Sequence, residues 1–287
     1  MPVDFNTPLP LLTFSTLNAF PDLIHAVSTR HGGTSLPPYD TLNLTWASGD
    51  RPEAVEENHL RLCGALDVSR SALVSPRQVH SATVRRVGPN DRGRFIPACD
   101  ALITSAIGVA LLLRFADCVP IMLFDPQQKA IGLAHAGWRG TIAGIAQATV
   151  AAMMETLGSR PGDLIAAIGP AIGPCCYEIG PEVAAEARAA FGSTTDLLGP
   201  PSRLVESWPG QAEVHPCSAY RSLAKDIGAH PLHLDLWRAN KLQLQLAGVE
   251  QIEVAGICTC CHREQYFSYR AQNGKTGHHG ALLCMGG

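Results

Sequence analysis

The strongest constraint on this chain is a stretch of two apolar runs separated by a turn. Ala116-Asp-Cys-Val-Pro-Ile-Met-Leu-Phe-Asp125 is followed by a short polar turn and then by Ala130-Ile-Gly-Leu-Ala-His-Ala-Gly-Trp-Arg-Gly140. Apolar runs bounded by turn residues read as strand, turn, strand. If the two strands pair as a hairpin, Cys118 before the first and His135 at the end of the second emerge at the same open end. A thiolate and an imidazole side by side suit zinc or copper. The second strand breaks at Gly137-Trp-Arg-Gly140, and a helix is expected from Thr141. Backbone N–H groups at a glycine-rich helix start attract anions, and Arg139 adds a forked cation beside them. The stretch predicts a metal corner next to an anion corner.

The rest of the chain can build a large core around such a hairpin. Of its 287 residues, 46% are hydrophobic and 16% charged, and a chain of about 300 residues buries roughly 75% of its unfolded surface. That length allows one large domain or two. A net charge of -3 and a pI near 6.4 suggest neither a nucleic-acid nor an acidic-membrane partner. Residues 1–22 show no basic segment followed by a long apolar one, so no signal peptide is expected. The longest apolar run, Ile107 to Ala116, is broken by Arg114 and falls far short of the roughly 20 residues that span a bilayer. The expectation is a soluble, cytoplasmic protein. Its ten cysteines are then expected as reduced thiols. The vicinal pairs Cys175-Cys176 and Cys260-Cys261 also suit structural bridges poorly.

Strands are expected at Ile24–Thr29, Thr41–Leu44, around Val84, at Asp100–Thr104, Val109–Phe115, Leu164–Ile168, Gln251–Ile257, Tyr266–Arg270 and Gly280–Met285. Helices are expected at Arg51–Leu66, from Thr141 to Gly158, from Pro181 to Phe191, and from an Asp235 cap to about Leu246. In the second of these, Ile142, Ile145, Ala146, Thr149, Val150, Met153 and Met154 form an unbroken apolar stripe with Thr141 as N-cap. Residues 193–218 carry little pattern and read as a surface excursion. Strands and helices mix without strict alternation, which argues α+β.

Three residues stand out as one site: His80, Cys118 and His135. Their spacings fit no local motif, and a three-ligand zinc leaves a fourth position open, the pattern of a catalytic site. The same residues permit a competing reading, a Cys118 nucleophile with His135 as base. Arg139 reads equally as an anion ligand or as a partner of a carboxylate. Cys258-Thr-Cys-Cys-His262 looks like a metal tract, but its ligands are crowded in sequence and no CxxC stands at finger spacing. No metal is expected there. The 11 histidines include no His-x-His pair and no His-Cys-His run, which argues against a multicopper laccase centre.

Several segments together resemble a known family. Ser28-Thr-Arg-His-Gly-Gly33, Thr41-Leu-Asn-Leu44, Gln78-Val-His80, Ala116-Asp-Cys-Val-Pro120, Ala134-His-Ala-Gly-Trp-Arg-Gly140, Ile168-Gly-Pro-Ala-Ile-Gly-Pro-Cys-Cys-Tyr-Glu178 and Phe267-Ser-Tyr-Arg270 resemble the YfiH family. It is also known as the laccase-domain or polyphenol oxidase family, later described as purine nucleoside phosphorylases. The resemblance implies one α+β domain over residues 1–287, with two packed mixed sheets flanked by helices, as in certain cysteine hydrolases and deamidases. It implies zinc on His80, Cys118 and His135, with copper as the alternative ion. It implies phosphorolysis of adenosine, inosine and methylthioadenosine, with adenosine deamination. A copper-dependent phenol oxidase and a peptidoglycan-editing role are the rival activities of the family. Arg30, Asn43, Gln78, Arg139 and Arg270 are the candidate substrate and phosphate ligands, and Asp117 or Glu178 the candidate proton carrier. In one departure, Thr276-Gly277 is followed by His278 where the family usually has arginine, which removes a permanent cation.

Overall fold

The computed structural model describes residues 9–192, 196–200, 203–204 and 232–286. Most of the unpatterned stretch 193–218 lies outside the described residues. In chain order the elements are β1 (Leu11–Leu12), α1 (Ser15–Asn18), β2 (Leu23–Ser28), α2 (Pro52–Ala65), β3 (Leu73–Pro76), β4 (Val84–Arg86), β5 (Phe95–Ile96) and β6 (Ala101–Thr104). There follow β7 (Ala110–Phe115), β8 (Val119–Asp125), β9 (Ala130–Ala136), α3 (Trp138–Ile142), α4 (Ile145–Leu157), β10 (Ile165–Ile168) and α5 (Pro181–Phe191). The last are β11 (Leu198–Gly199), β12 (His233–Leu234), α6 (Leu236–Leu246), β13 (Gln251–Val254) and β14 (His279–Met285).

Two six-stranded mixed sheets form the fold, in the orders β1-β2-β14-β7-β3-β5 and β13-β10-β8-β9-β6-β4. The expected α+β class, two mixed sheets with helices, is what the chain adopts. The central strands are buried on both faces, so they read as continuous apolar runs rather than alternating ones. Alternation still sorts their side chains. In β7, Leu111, Leu113 and Phe115 face the second sheet, while Ala110 and Leu112 join Leu62 and Cys63 of α2. In β9, Ile131 and Leu133 face the first sheet, while Ala130, Ala134 and Ala136 join Ile145, Val150 and Met153 of α4. The layers run helix, sheet, sheet, helix, and α4 also packs on α6.

The hairpin forms as expected: β8 and β9 pair antiparallel with Val119 opposite Ala136 and Pro120 opposite His135. Other expectations change. The helix after the hairpin is broken in two, because Gly144 sits at φ 81 between α3 and α4. The residue capping α3 is Gly137, not Thr141, which is buried inside α3 and accepts from Asn240 Nδ2 of α6. Met154 is 43% exposed and so leaves the apolar stripe. Thr41–Leu44 and Tyr266–Arg270 join no sheet. Leu42 and Leu44 are buried, but their amides donate to the loop carbonyls of Arg30 and His278. Asp235 caps α6 as expected, accepting from the Arg238 amide at 3.0 Å. No helix of the described residues is long and apolar enough to cross a membrane.

The two sheets are also tied at an edge. Glu253 of β13 accepts from the amides and hydroxyls of Ser15 and Thr16 at 2.6–3.2 Å, satisfying N–H groups at the start of α1 that the helix itself leaves open. Those four bonds hold the Glu253 carboxyl below the usual range against the opposing pull of burial. Replacing Glu253 by Gln should cost about 1.5 kcal/mol at pH 7, the scale of a lost charged hydrogen bond. Urea unfolding measures it, and a change within error would mean that α1 docks without this clamp.

Candidate metal centre

The site is built from four segments at the open end of the hairpin. The loop between β3 and β4 supplies His80, the entry to β8 supplies Cys118, and the last turn of β9 supplies His135. One ligand atom from each lies within 4.8 Å of the others, so the structure brings the three expected residues together. The imidazoles of His80 and His135 meet edge to face, with centroids 4.9 Å apart. His135 is buried, His80 exposed and Cys118 half-buried, so the cluster opens on one side.

The fourth segment is the start of β6, and its contribution was not among the expected site residues. Asp100 is fully buried. Its Oδ1 accepts from His135 Nδ1 at 2.9 Å and from the His80 amide at 2.9 Å. Its Oδ2 accepts from the Val79 amide, the Ser81 amide and the Ser81 hydroxyl at 2.7–3.2 Å. Bonding Nδ1 to Asp100 leaves Nε2 of His135 as the atom offered to an ion, the usual backing of a metal-bound imidazole. The amide bonds hold the loop in which His80 takes a left-handed φ of 61. A non-glycine residue there costs about 1–3 kcal/mol. Burial opposes the charge on Asp100, but these bonds prevail and bring its carboxyl down to about 2.

Cys118 is aimed by a second strained residue. Asp117 sits at φ 88 and is buried. Its Oδ1 accepts from Thr259 Oγ1 at 2.6 Å and its Oδ2 from the Arg270 amide at 2.7 Å. Burial pushes the Asp117 carboxyl up, against those bonds. Gly137 forms the floor of the cluster. A Cβ at this position would lie 3.0 Å from Cys118 Sγ and 3.0 Å from His80 Cδ2, so glycine is what lets the backbone pass beneath both. Burial also opposes ionisation of Cys118, yet the imidazoles of His135 and His80 bring its thiol down to about 7. Burial opposes the charge on His135 in turn, but Cys118 and Asp100 raise that imidazole to about 9.

The remaining expected residues divide. Arg139 is exposed, stacks at 4.2 Å over Trp138, and forms no salt bridge among the described residues. Arg270 lies over Tyr177 at 5.3 Å and donates to the carbonyls of Cys176 and Glu178. The side chain of Glu178 is exposed. Arg30 is engaged in the fold: it donates to the carbonyls of Asp40 and Arg263 and pairs with the Asp40 carboxylate at 3.2 Å. Asn43 is buried and ties the chain at Thr45, Ser48, Asp50 and His278. Gln78 exchanges two hydrogen bonds with the backbone of Arg114 in β7. His278 lies close enough to feel Arg114, His135 and His80. Burial first, then the neighbouring Arg114, His135 and His80, lower its imidazole to about 4.

Comparison with known proteins identifies the family of the chain and its fold. The family model described as "Multi-copper polyphenol oxidoreductase laccase" matches residues 24–286. A Geobacillus stearothermophilus protein named "Purine nucleoside phosphorylase YlmD" is 37% identical over 267 residues, covering 90% of this chain and 88% of its own. A "Purine nucleoside phosphorylase" of Deinococcus radiodurans is 38% identical over 277 residues, covering 96% and 93%. The crystal structure of Bacillus licheniformis hypothetical protein YfiH superposes with a TM-score of 0.83 at 29% identity, covering 98% of each chain.

Asp100→Asn should destabilise the metal-free protein by about 3 kcal/mol at neutral pH, since an amide cannot accept all five donors and leaves buried N–H groups unpaired. The folded pKa is depressed, so the carboxylate's stabilisation is full above the unfolded value near 3.8 and fades as pH falls toward about 2. The gap between wild type and variant in urea unfolding should stay constant from pH 7 to about pH 4 and narrow below it. Equal stability at pH 7 would refute the role given to Asp100.

Proposed function

The chain belongs to the family described as multi-copper polyphenol oxidoreductase laccase, and we propose that it is a zinc-dependent purine nucleoside phosphorylase. The observation that carries this reading is the convergence of His80, Cys118 and His135, in a chain whose relatives bear that enzyme name. Two imidazoles and one thiolate suit zinc, and three protein ligands leave a position for substrate. The Asp100 bond to His135 and the Cβ-free floor at Gly137 fit an ion held between the three. Coupled copper centres need many more imidazoles, and among the described residues no other group of histidines converges. A bound zinc supplies Lewis acidity toward an oxygen atom.

The chain's own residues then have distinct tasks. Arg139 holds phosphate: its side chain is exposed, its guanidinium lies over the Trp138 ring at 4.2 Å, and it is not consumed by a carboxylate among the described residues. Arg270, stacked on Tyr177 and held at its amide by Asp117, is the second cation of this reading. Both oxygens of Asp117 accept hydrogen bonds, so its part is to aim Cys118 and hold the loop of Arg270. Glu178, with its exposed side chain, is the carboxylate that moves a proton. Adenosine, inosine and methylthioadenosine are the substrates of this reading, and deamination of adenosine is a second activity of the same zinc. One observation favours a thiol hydrolase instead: Cys118 and His135 already polarise each other as a nucleophile and base would.

Product analysis by mass spectrometry decides. With adenosine and phosphate the protein should yield adenine and ribose 1-phosphate, and without phosphate only inosine. Cys118→Ala should lose both reactions together with the zinc from this site. Alkylation of Cys118 with retained metal and activity would fit neither reading of the thiol. Turnover of phenols without nucleoside chemistry would establish the copper oxidase, and no turnover of either would leave the peptidoglycan role.

Arg139→Gln should weaken phosphate by roughly 10- to 150-fold, the equivalent of about 1.5–3 kcal/mol for a charged hydrogen bond. Its zinc should remain, and deamination should fall much less than phosphorolysis. Rates measured across a phosphate titration test this, and parallel loss of both reactions at unchanged phosphate affinity would remove Arg139 from the anion site.

A further inference from the structure

The tract Cys258-Thr-Cys-Cys-His262 was expected to hold no metal, because no second cysteine pair stands at a suitable sequence spacing. The fold supplies that pair from a distance. Cys175 and Cys176, in the turn after β10, meet Cys258 and Cys261, and the four sulfurs all lie within 4.8 Å of one another. Cys261 Sγ is 3.5 Å from both Cys175 Sγ and Cys176 Sγ, beyond the roughly 2.0 Å of a disulfide. Four thiolates around one zinc, at about 2.3 Å each, stand about 3.8 Å apart in a tetrahedron. Two separations are 3.5 Å and none exceeds 4.8 Å, so closing on an ion needs only small side-chain shifts.

The backbone around the cluster is arranged for thiolates. Residues Ala171 and Cys258 form a parallel bridge, with the Ala171 amide on the Ile257 carbonyl and the Thr259 amide on the Ala171 carbonyl. This bridge brings the Gly173 amide to 3.2 Å from Cys258 Sγ, as a donor to the sulfur. A Cβ on Gly173 would sit 2.7 Å from Trp237 Cη2 and 3.1 Å from Cys258 Cβ, so only glycine permits that approach. Cys175 and Cys258 are buried, and Cys176 and Cys261 are half-buried. The full set of four protein ligands leaves no open position, which distinguishes a structural from a catalytic zinc.

We infer that Cys175, Cys176, Cys258 and Cys261 bind one zinc ion, separate from the candidate centre at His80, Cys118 and His135. The ion staples the turn after β10 to the segment after β13. The stapled segments border the other site: Thr259 holds Asp117 beside Cys118, and Arg270 donates to the Cys176 carbonyl at 3.3 Å. Zinc here therefore acts as a positioning element and touches no substrate.

Elemental analysis of protein purified without added metal tests the inference. Wild type should hold two zinc ions per chain, Cys118→Ala one, Cys261→Ser one and Cys260→Ser two. Were the His80, Cys118 and His135 site not a zinc site, wild type and Cys118→Ala would each hold one, and Cys261→Ser none. The two readings therefore fail separately. A Cys261→Ser protein with undiminished zinc overturns the inference, and so does a disulfide between any two of these four cysteines, found by mass spectrometry of non-reduced proteolytic peptides. Where Cys261→Ser fails to fold, cobalt in the Cys118→Ala background gives the same answer. A tetrathiolate site shows intense sulfur-to-cobalt charge transfer with tetrahedral ligand-field bands, and absence of these bands overturns it.

Discussion

A single buried carboxylate organises the candidate centre. Asp100 is an anion removed from water, which is costly unless every lone pair is used. Five donors use them, and those donors belong to the two segments that carry the histidines. The same charge that needs them fixes the tautomer of His135 and the left-handed turn at His80. Asp117 repeats the device on the other side, where two bonds from remote loops hold a strained residue next to Cys118. Ligand placement in this protein is thus a by-product of satisfying two buried acids.

This arrangement explains which parts were legible in the sequence. The hairpin could be read because its signal is local: two apolar runs, one turn, and ligands at matching ends. The cap at Asp235 and the stop at Gly158 are equally local. Asp100 could not be singled out, since one acid at the start of a short strand has no periodic partner. Its only sequence sign is an acid placed directly before Ala101-Leu-Ile, where a charge is bound to be drawn into the core. Thr41–Leu44 and Tyr266–Arg270 misled because an apolar run marks buried chain, whether or not a neighbouring strand pairs with it.

The cysteine cluster was illegible for a different reason. Its halves are 86 residues apart between Cys175 and Cys261, and each half alone looks like an incomplete motif. Only the pairing of β10 with β13, continued by the Ala171 bridge, makes them one set. Arg30, Asn43 and Gln78 show the converse: residues that stand out in motifs but whose polar atoms are engaged in holding loops against the sheets. A motif reports that a residue is needed, and geometry has to say for what.

The strand order of the first sheet also governs how the chain is made. β14 lies between β2 and β7, so the strand from residues 279–285 completes a ladder begun at residue 23. Until the ribosome has delivered it, β2 and β7 each present an unpaired apolar edge, the kind of surface that templates aggregation. The hairpin of β8 and β9, by contrast, closes over a few residues and can form early. Synthesis of this protein therefore passes through a stage in which His80, Cys118 and His135 have all been made, while the neighbouring sheet still lacks its central strand.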